Sequence, residues 1–359
     1  MLLILLIQPC RRCDNSGSDL IHIPWAEELM QIQTDLCKRL GIQFPIIQAP
    51  IGSAVSPQLV AAVSNSGALG FHAFSWKTLE EIKHDISVTQ ALTPNPFGAN
   101  FVLAWSQLER LKLCLDAGIR VFSFSWGDAC AYIPIVHKYD GIAMVTVGSS
   151  DEARKAVEMG ADVVVAQSWE AGGHVIGQVS GLTLIPKVVD AVHPVPVIAA
   201  GGIADGRGLI AALVLGASGI WIGTRFLASR EAIAHEIYKQ KILQAQETDT
   251  TYSLLFDGGW ENAPHRTIHN STVQQWENAN SSGSRQRPNE GEIIGTSPTG
   301  SLIRRYDDTI PLEKTKGDLE AMALYAGQSV GLIEQVLPAA EIVQQIIDDA
   351  LRVVAQFSS

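Results

Sequence analysis

The chain reads as an α/β protein built on a closed (β/α)8 barrel, and three observations carry that reading. Short β-branched runs alternate with helix-period segments from about residue 45 to 227, the pattern of a parallel sheet with helical crossovers. Eight such runs are near-continuously apolar, as strands buried on both faces are, where half-exposed strands would alternate. The competing fold, an open sheet with a dinucleotide loop, needs a GxGxxG after the first strand, and none is present.

The elements follow in order. Residues 45–50 (PIIQAP) form the first strand, and a helix over 57–66 ends at Gly67. Residues 68–74 are the second strand, followed by a helix over 77–90. Residues 97–103 are the third, with a helix over 107–117 and Gly118 in the C-cap position. The fourth runs from 120 to 126 before a short helix over 129–138. Residues 142–147 are the fifth, with a helix over 151–159 closed by Gly160. The sixth is 162–167, with a helix over 182–192. The seventh is 196–200, with a helix over 205–215 and Gly216, and the eighth is 219–224.

From 228 to 318 the character changes. A helical stretch over 229–246 leads into a polar region with few aliphatics and no strand alternation. We expect an inserted, mainly helical or irregular cap over the barrel mouth, flexible near 278–292. Helices over 318–334 and 338–355 then return to the barrel. Residues 30–227 with 319–359 are the expected barrel, and 1–29 a poorly ordered N-terminal extension. The apolar start, residues 1–7, is too short to span a bilayer and lacks the basic flank and cleavage site of a signal peptide. The expected location is therefore cytoplasmic.

The 359 residues carry 26 Lys+Arg against 37 Asp+Glu, a formal charge of −11. That balance argues against nucleic acid or an anionic membrane surface as the main partner. Hydrophobic residues at 47% exclude a mainly disordered chain. The five cysteines, Cys10, Cys13, Cys37, Cys114 and Cys130, form neither a disulfide framework nor a metal site.

Barrel active sites lie at the carboxyl ends of the strands. There, AAGGI (199–203) with Gly201 and Gly202, and GTRF (223–226) with Gly223 and Thr224, follow consecutive strands. Glycine lets backbone N–H groups approach an anion closely, and Thr224 adds a hydroxyl, so the pair reads as a phosphate site. The sixth strand ends in QSWEAGGH (167–174). Gln167 offers a bidentate amide to a heterocycle, Gly172 and Gly173 permit a turn over a ring face, and His174 takes a proton-handling role. Asn100 offers a second amide, and Gln48, Ala49 and Pro50 can meet the ring through their backbone. His72, His137, His193 and the eight tryptophans are read as packing or surface residues.

As an ordered set, PIIQAPIG (45–52), FGANF (97–101), AQSWEAGGH (166–174), AAGGI, GTRF and AGQSVGL (326–332) resemble the nitronate monooxygenases, formerly called 2-nitropropane dioxygenases. The resemblance spans about residues 31–357. It implies an FMN-dependent barrel enzyme that oxidises alkyl nitronates, or nitroalkanes, with O2 to carbonyl compounds and nitrite. It implies that Asn100, Gln167, Gly172, Gly202, Gly223 and Thr224 contact FMN and that His174 is catalytic. The chain departs from the family at Ile51-Gly52, where many members have Met and a small residue, and at Val175-Ile176, where Arg-Gly is common. An NAD(P)H-dependent FMN reductase of an enoyl thioester or quinone would share these loops. A flavin-free phosphosugar enzyme is a further alternative. No metal is expected, and a homodimer is compatible with the sequence.

Overall fold

A computed structural model describes residues 32–279 and 287–357. The expected N-terminal extension, Cys10, Cys13 and the middle of the polar stretch near 278–292 lie outside the described residues. Eight strands form one parallel sheet: β1 (Ile46–Gln48), β2 (Gly70–Ala73), β3 (Phe97–Val102), β4 (Val121–Ser125), β5 (Ile142–Val147), β6 (Val163–Gln167), β8 (Val197–Ala200) and β9 (Gly219–Ile222). A two-residue strand, β7 (Gly173–His174), lies in the loop after β6. The order β1-β9-β8-β6-β5-β4-β3-β2 closes where the Gln48 N–H donates to the Leu69 carbonyl at 2.9 Å and the Leu69 N–H to the Ile46 carbonyl at 3.0 Å. The barrel expectation holds.

Helices α1 (Asp35–Leu40), α2 (Pro57–Asn65), α3 (Leu79–Leu92), α4 (Leu108–Asp116), α5 (Ile133–Lys138), α6 (Ser150–Glu158), α7 (Gly181–Val192) and α8 (Gly206–Val214) precede or join the strands. Their starts are set by local chemistry. The Ser56 hydroxyl accepts from the Leu59 N–H at 3.0 Å, and Thr78 with Glu81 makes a reciprocal capping box on α3. The stops expected at Gly67, Gly118, Gly160 and Gly216 are left-handed residues with φ of 86°, 95°, 98° and 92°. Inside the barrel, Ile47, Phe71, Met144, Val165, Ile198 and Trp221 form a packed layer. Outside it, the amphipathic α12 (Ala339–Phe357) sets Ile342, Val343, Ile346 and Ile347 against Leu209 of α8 and Leu59 of α2.

The region after β9 departs from expectation in three ways. Of the helix expected over 229–246 only Glu236–Gln244 is helical (α10, after the short α9, Thr224–Leu227). The residues before it form bends between two isolated bridges, Ser229 to Leu337 and Ala234 to Leu312. Strands are also present: β10 (Thr250–Ser253) pairs with β11 (His265–Ile268), which pairs in turn with β7. Beyond α11 (Ser271–Asn278), β12 (Ile293–Thr296) pairs with β13 (Leu302–Arg304) and β14 (Lys316–Gly317). Such short strands give alternation too few residues to register. Finally, 318–334 is not a helix. Two 3-10 turns, Leu319–Ala321 and Gln328–Leu332, flank an extended segment. There the Ile268 N–H donates to the Leu324 carbonyl at 2.8 Å, so pairing with β11 overrides an Ala- and Leu-rich helical preference. No helix among the described residues is long and apolar enough to cross a membrane.

Candidate active site

At the carboxyl ends of the strands the βα-loops and the inserted segment enclose a cavity of about 370 Å³, a size typical of small-molecule sites. Ala49, Pro50, Asn100, Gln167, Gly172, Gly173, His174, Gly201, Gly202, Gly223 and Thr224 all line it. Gln48 does not. Its side chain is buried and bonds the neighbouring strand, accepting from the Phe71 N–H at 3.0 Å and donating to the Phe71 carbonyl at 3.3 Å. Its own N–H is committed to Leu69, so Gln48 stitches the barrel where a ring contact was expected.

The β8 and β9 ends present bare backbone. Gly201 and Gly202 have φ of 100° and 72°, where only glycine sits without strain. Gly223 is different, because its φ is −101° and a Cβ there would meet Ile51 and Ala49 only at ordinary contact, 3.6 and 3.7 Å. Neither conformation nor packing within the protein requires glycine at that position. Its effect is to leave the cavity wall open to close approach. The Thr224 hydroxyl accepts from the Gly327 N–H at 3.0 Å, tying the segment after β14 to this wall and leaving the hydroxyl hydrogen to donate elsewhere.

Across the centre, the Gln167 amide is a clamp. It donates to the His174 carbonyl at 3.1 Å and accepts from the Ile176 N–H at 2.9 Å, and so fixes the loop that carries His174. Asn100 donates to the Ser123 hydroxyl at 2.8 Å, which leaves its amide oxygen as an acceptor toward the cavity. His174 sits in β7, paired with His265 of β11. Its ring lies 4.2 Å from Trp260 and 5.4 Å from Tyr325, centroid to centroid. Burial, reinforced by His265, lowers its pKa from 6.5 to about 3 against the pull of the Ala263 carbonyl. The imidazole is neutral at pH 7, and its Nδ1 has no partner among the described residues. His265 is itself held in one neutral tautomer. Its Nδ1–H donates to the Ala263 carbonyl at 3.0 Å, and its Nε2 accepts from the Phe256 N–H at 3.1 Å.

The chain after β9 contributes residues that no sequence motif marked. The Tyr325 hydroxyl is buried without a partner, and Asp308 on the cavity wall is raised to about 6 by burial and by Asp307. Four tryptophans expected to be packing or surface residues, Trp76, Trp126, Trp221 and Trp260, line the cavity. His72, by contrast, is a packing residue. It is buried, bonded to the Thr89 hydroxyl at 2.9 Å and stacked on Phe74. His137 is a surface residue 2.9 Å from Asp162. Among the described residues no cluster of His, Cys, Asp and Glu is arranged to hold a metal.

The nitronate monooxygenase family profile matches residues 33–110 and 103–349. The chain is 32% identical over 353 residues to the (3aS,4S,5R,7aS)-5-hydroxy-7a-methyl-1-oxo-octahydro-1H-indene-4-carboxyl-CoA dehydrogenase of Mycobacterium tuberculosis, covering 90% of this chain and 97% of that protein. It is 31% identical over 363 residues to a probable nitronate monooxygenase of Staphylococcus aureus, covering 87% and 96%. FabK from Thermotoga maritima superimposes with a TM-score of 0.78 at 31% identity, covering 91% of this chain and 98% of that one. With its barrel, its glycine wall and the histidine loop, this chain belongs to the nitronate monooxygenase family of oxidoreductases.

Proposed function

We propose that the protein is an FMN-dependent enzyme that oxidises alkyl nitronates with O2 to carbonyl compounds and nitrite, in the cytoplasm. The observation that carries this reading is the pairing, in one cavity, of the bare Gly201–Gly202–Gly223 wall with a neutral imidazole at His174 whose Nδ1 has no partner among the described residues. The residues fit the cofactor. Gly201, Gly202, Gly223 and Thr224 would hold its phosphate through backbone and hydroxyl donors. Asn100, Gln167 and the Gly172–Gly173 turn would border its ring system, with the backbone of Ala49 and Pro50 on the far side. When bound, FMN supplies electron acceptance and reaction with O2, which no side chain can provide.

The protein's own part is positioning and proton control. His174, fixed by the Gln167 clamp, places its imidazole on the cavity wall, where it would meet the substrate. Burial holds the ring neutral but also makes it a weak base, so it is better suited to hydrogen-bond a preformed nitronate than to deprotonate a nitroalkane. Trp260 and Tyr325 cover the ring and keep water from it. The test is an absorbance spectrum of the purified protein followed by titration with propyl-2-nitronate under air. A flavin spectrum with stoichiometric nitrite release supports the reading, and a colourless protein or a yellow one that releases no nitrite overturns it.

A second reading has its own support. Among the described residues lining the cavity there is no Lys or Arg, while Glu170 and Asp308 are acidic. That lining suits an uncharged reacting group, such as a thioester-activated carbonyl, and the carboxyl-CoA dehydrogenase is among the relatives. Anaerobic mixing with NADH separates the two, since rapid bleaching of the flavin favours the reductase or dehydrogenase chemistry.

A further inference from the structure

Four tryptophans meet at the mouth of the cavity, each from a different loop. Trp76 follows β2, Trp105 follows β3, Trp126 follows β4, and Trp260 comes from the inserted segment. Their rings form one continuous array. Trp126 and Trp260 are 5.0 Å apart, Trp105 and Trp260 5.2 Å, Trp76 and Trp105 5.9 Å, and Trp76 and Trp260 6.2 Å. The inner end of the array lies on His174. The outer end is open, with Trp76 51% and Trp105 39% exposed.

The array does not serve the barrel core. Trp260 belongs to a small separate cluster with Val102 and Ala263, against which Trp126 packs. Trp126 is moreover held at φ 59°, a left-handed conformation uncommon for a non-glycine residue. Two large indoles left half in water beside a cavity are the kind of apolar surface that marks a binding site. The strand order puts β3 and β4 on the opposite side of the barrel from β8 and β9, so this wall stands apart from the glycine wall. With no cation among the described lining residues, recognition on this side runs through aromatic contact and not through charge.

We infer that the tryptophan array is the substrate-specificity subsite and that it takes a compact hydrocarbon ring system carried next to the reacting carbon, beyond the size of a small nitroalkane. The inference rests on the reading of this cavity as the active site. The ring portion stacks on Trp126 and Trp260 beside His174, and its outer part is covered by Trp76 and Trp105.

The test uses the protein as purified. Calorimetric titration with 1-indanone, a neutral and unreactive bicyclic probe, is run on the wild type and on Trp76→Ala, Trp105→Ala and the double variant. Leu replacements and thermal melts serve as controls for folding. In parallel, kcat/KM is compared for the nitronates of nitrocyclohexane and 2-nitropropane. Saturable indanone binding in the wild type, weakened tenfold or more in the double variant, supports the subsite. So does a cyclic-to-small kcat/KM ratio that falls about tenfold. No binding to the wild type, or equal binding to a folded double variant, overturns it. If neither nitronate is oxidised while indanone binds and the variants lose it, the nitronate reading fails and the subsite stands. If both nitronates are oxidised equally and indanone does not bind, the subsite fails and the nitronate reading stands.

Discussion

On the β8–β9 side of the barrel mouth, above the indole of Trp221, the wall carries bare backbone, with Gly201, Gly202 and Gly223 exposing peptide groups and Thr224 adding a single hydroxyl. On the β2–β4 side it is indole, with Trp76 and Trp126 lining the cavity and Trp105 behind them. Bare backbone offers fixed N–H donors and no bulk, which suits an anion held close in the same way at every turnover. Indole offers apolar area and little directionality, which suits the part of a ligand that differs from one enzyme to the next. His174 lines the same cavity and lies against the indoles of Trp126 and Trp260. On the functional reading proposed above, one side would hold the cofactor and the other would select the substrate.

The largest effect should come from the histidine in the shared cavity. His174→Asn should keep the flavin spectrum but lower turnover by roughly 10²- to 10⁴-fold, measured by oxygen uptake; unchanged turnover would remove the imidazole from the chemistry. On the glycine side, Gly223→Val should fold normally, because the protein leaves space there, yet project methyls into the cofactor space. At about 1–3 kcal/mol of overpacking, flavin retention should fall roughly 10- to 100-fold, read from the absorbance ratio after dialysis. A variant that purifies fully yellow would contradict the assignment of that wall.

Protonation tests the tryptophan side and the centre together. His72 in β2 and His174 are both held by burial near a pKa of 3, against 6.5 for the free side chain. The unfolded chain therefore binds more protons than the native state between about pH 6.5 and 3, and stability is lost as pH falls through that window. From pH 7 to pH 5 each histidine should cost about 2 kcal/mol, and His72→Leu should recover its share. Urea midpoints at the two pH values check this, and an unchanged pH difference in the variant would refute it.

Smaller effects sharpen the contrast. Trp260→Leu should raise KM by up to about tenfold, the worth of an aromatic contact, without loss of colour. Thr224→Val should do the reverse, loosening flavin by roughly 2- to 10-fold through a lost hydroxyl and an unpaired Gly327 N–H, with KM little changed. If both variants moved the same quantity, the division of the mouth into two materials would be wrong.

The glycine side was legible in the sequence because its residues lie in short contiguous motifs whose spacing is local. The eight strands and their helices were legible for the same reason, down to the four glycines that end the helices. Gln48 was misread because its strand-end position resembles that of a ring contact, while its amide is consumed by Phe71 of the adjacent strand, a partner 23 residues away. The stretch from 318 to 334 was misread because Ala- and Leu-rich sequence prefers helix until β11 offers an edge to pair with.

The tryptophan array had no sequence signal at all. Its members are spread from residue 76 to 260, one to a loop, and nothing in any single loop distinguishes a cavity indole from a packing one. Local rules are written in neighbouring residues, so the chain alone set the strands, the helix stops and the glycine turns. Closure of the barrel and folding of the inserted segment over its mouth brought those loops within 7 Å of one another, and only that convergence decided which side chains share a wall.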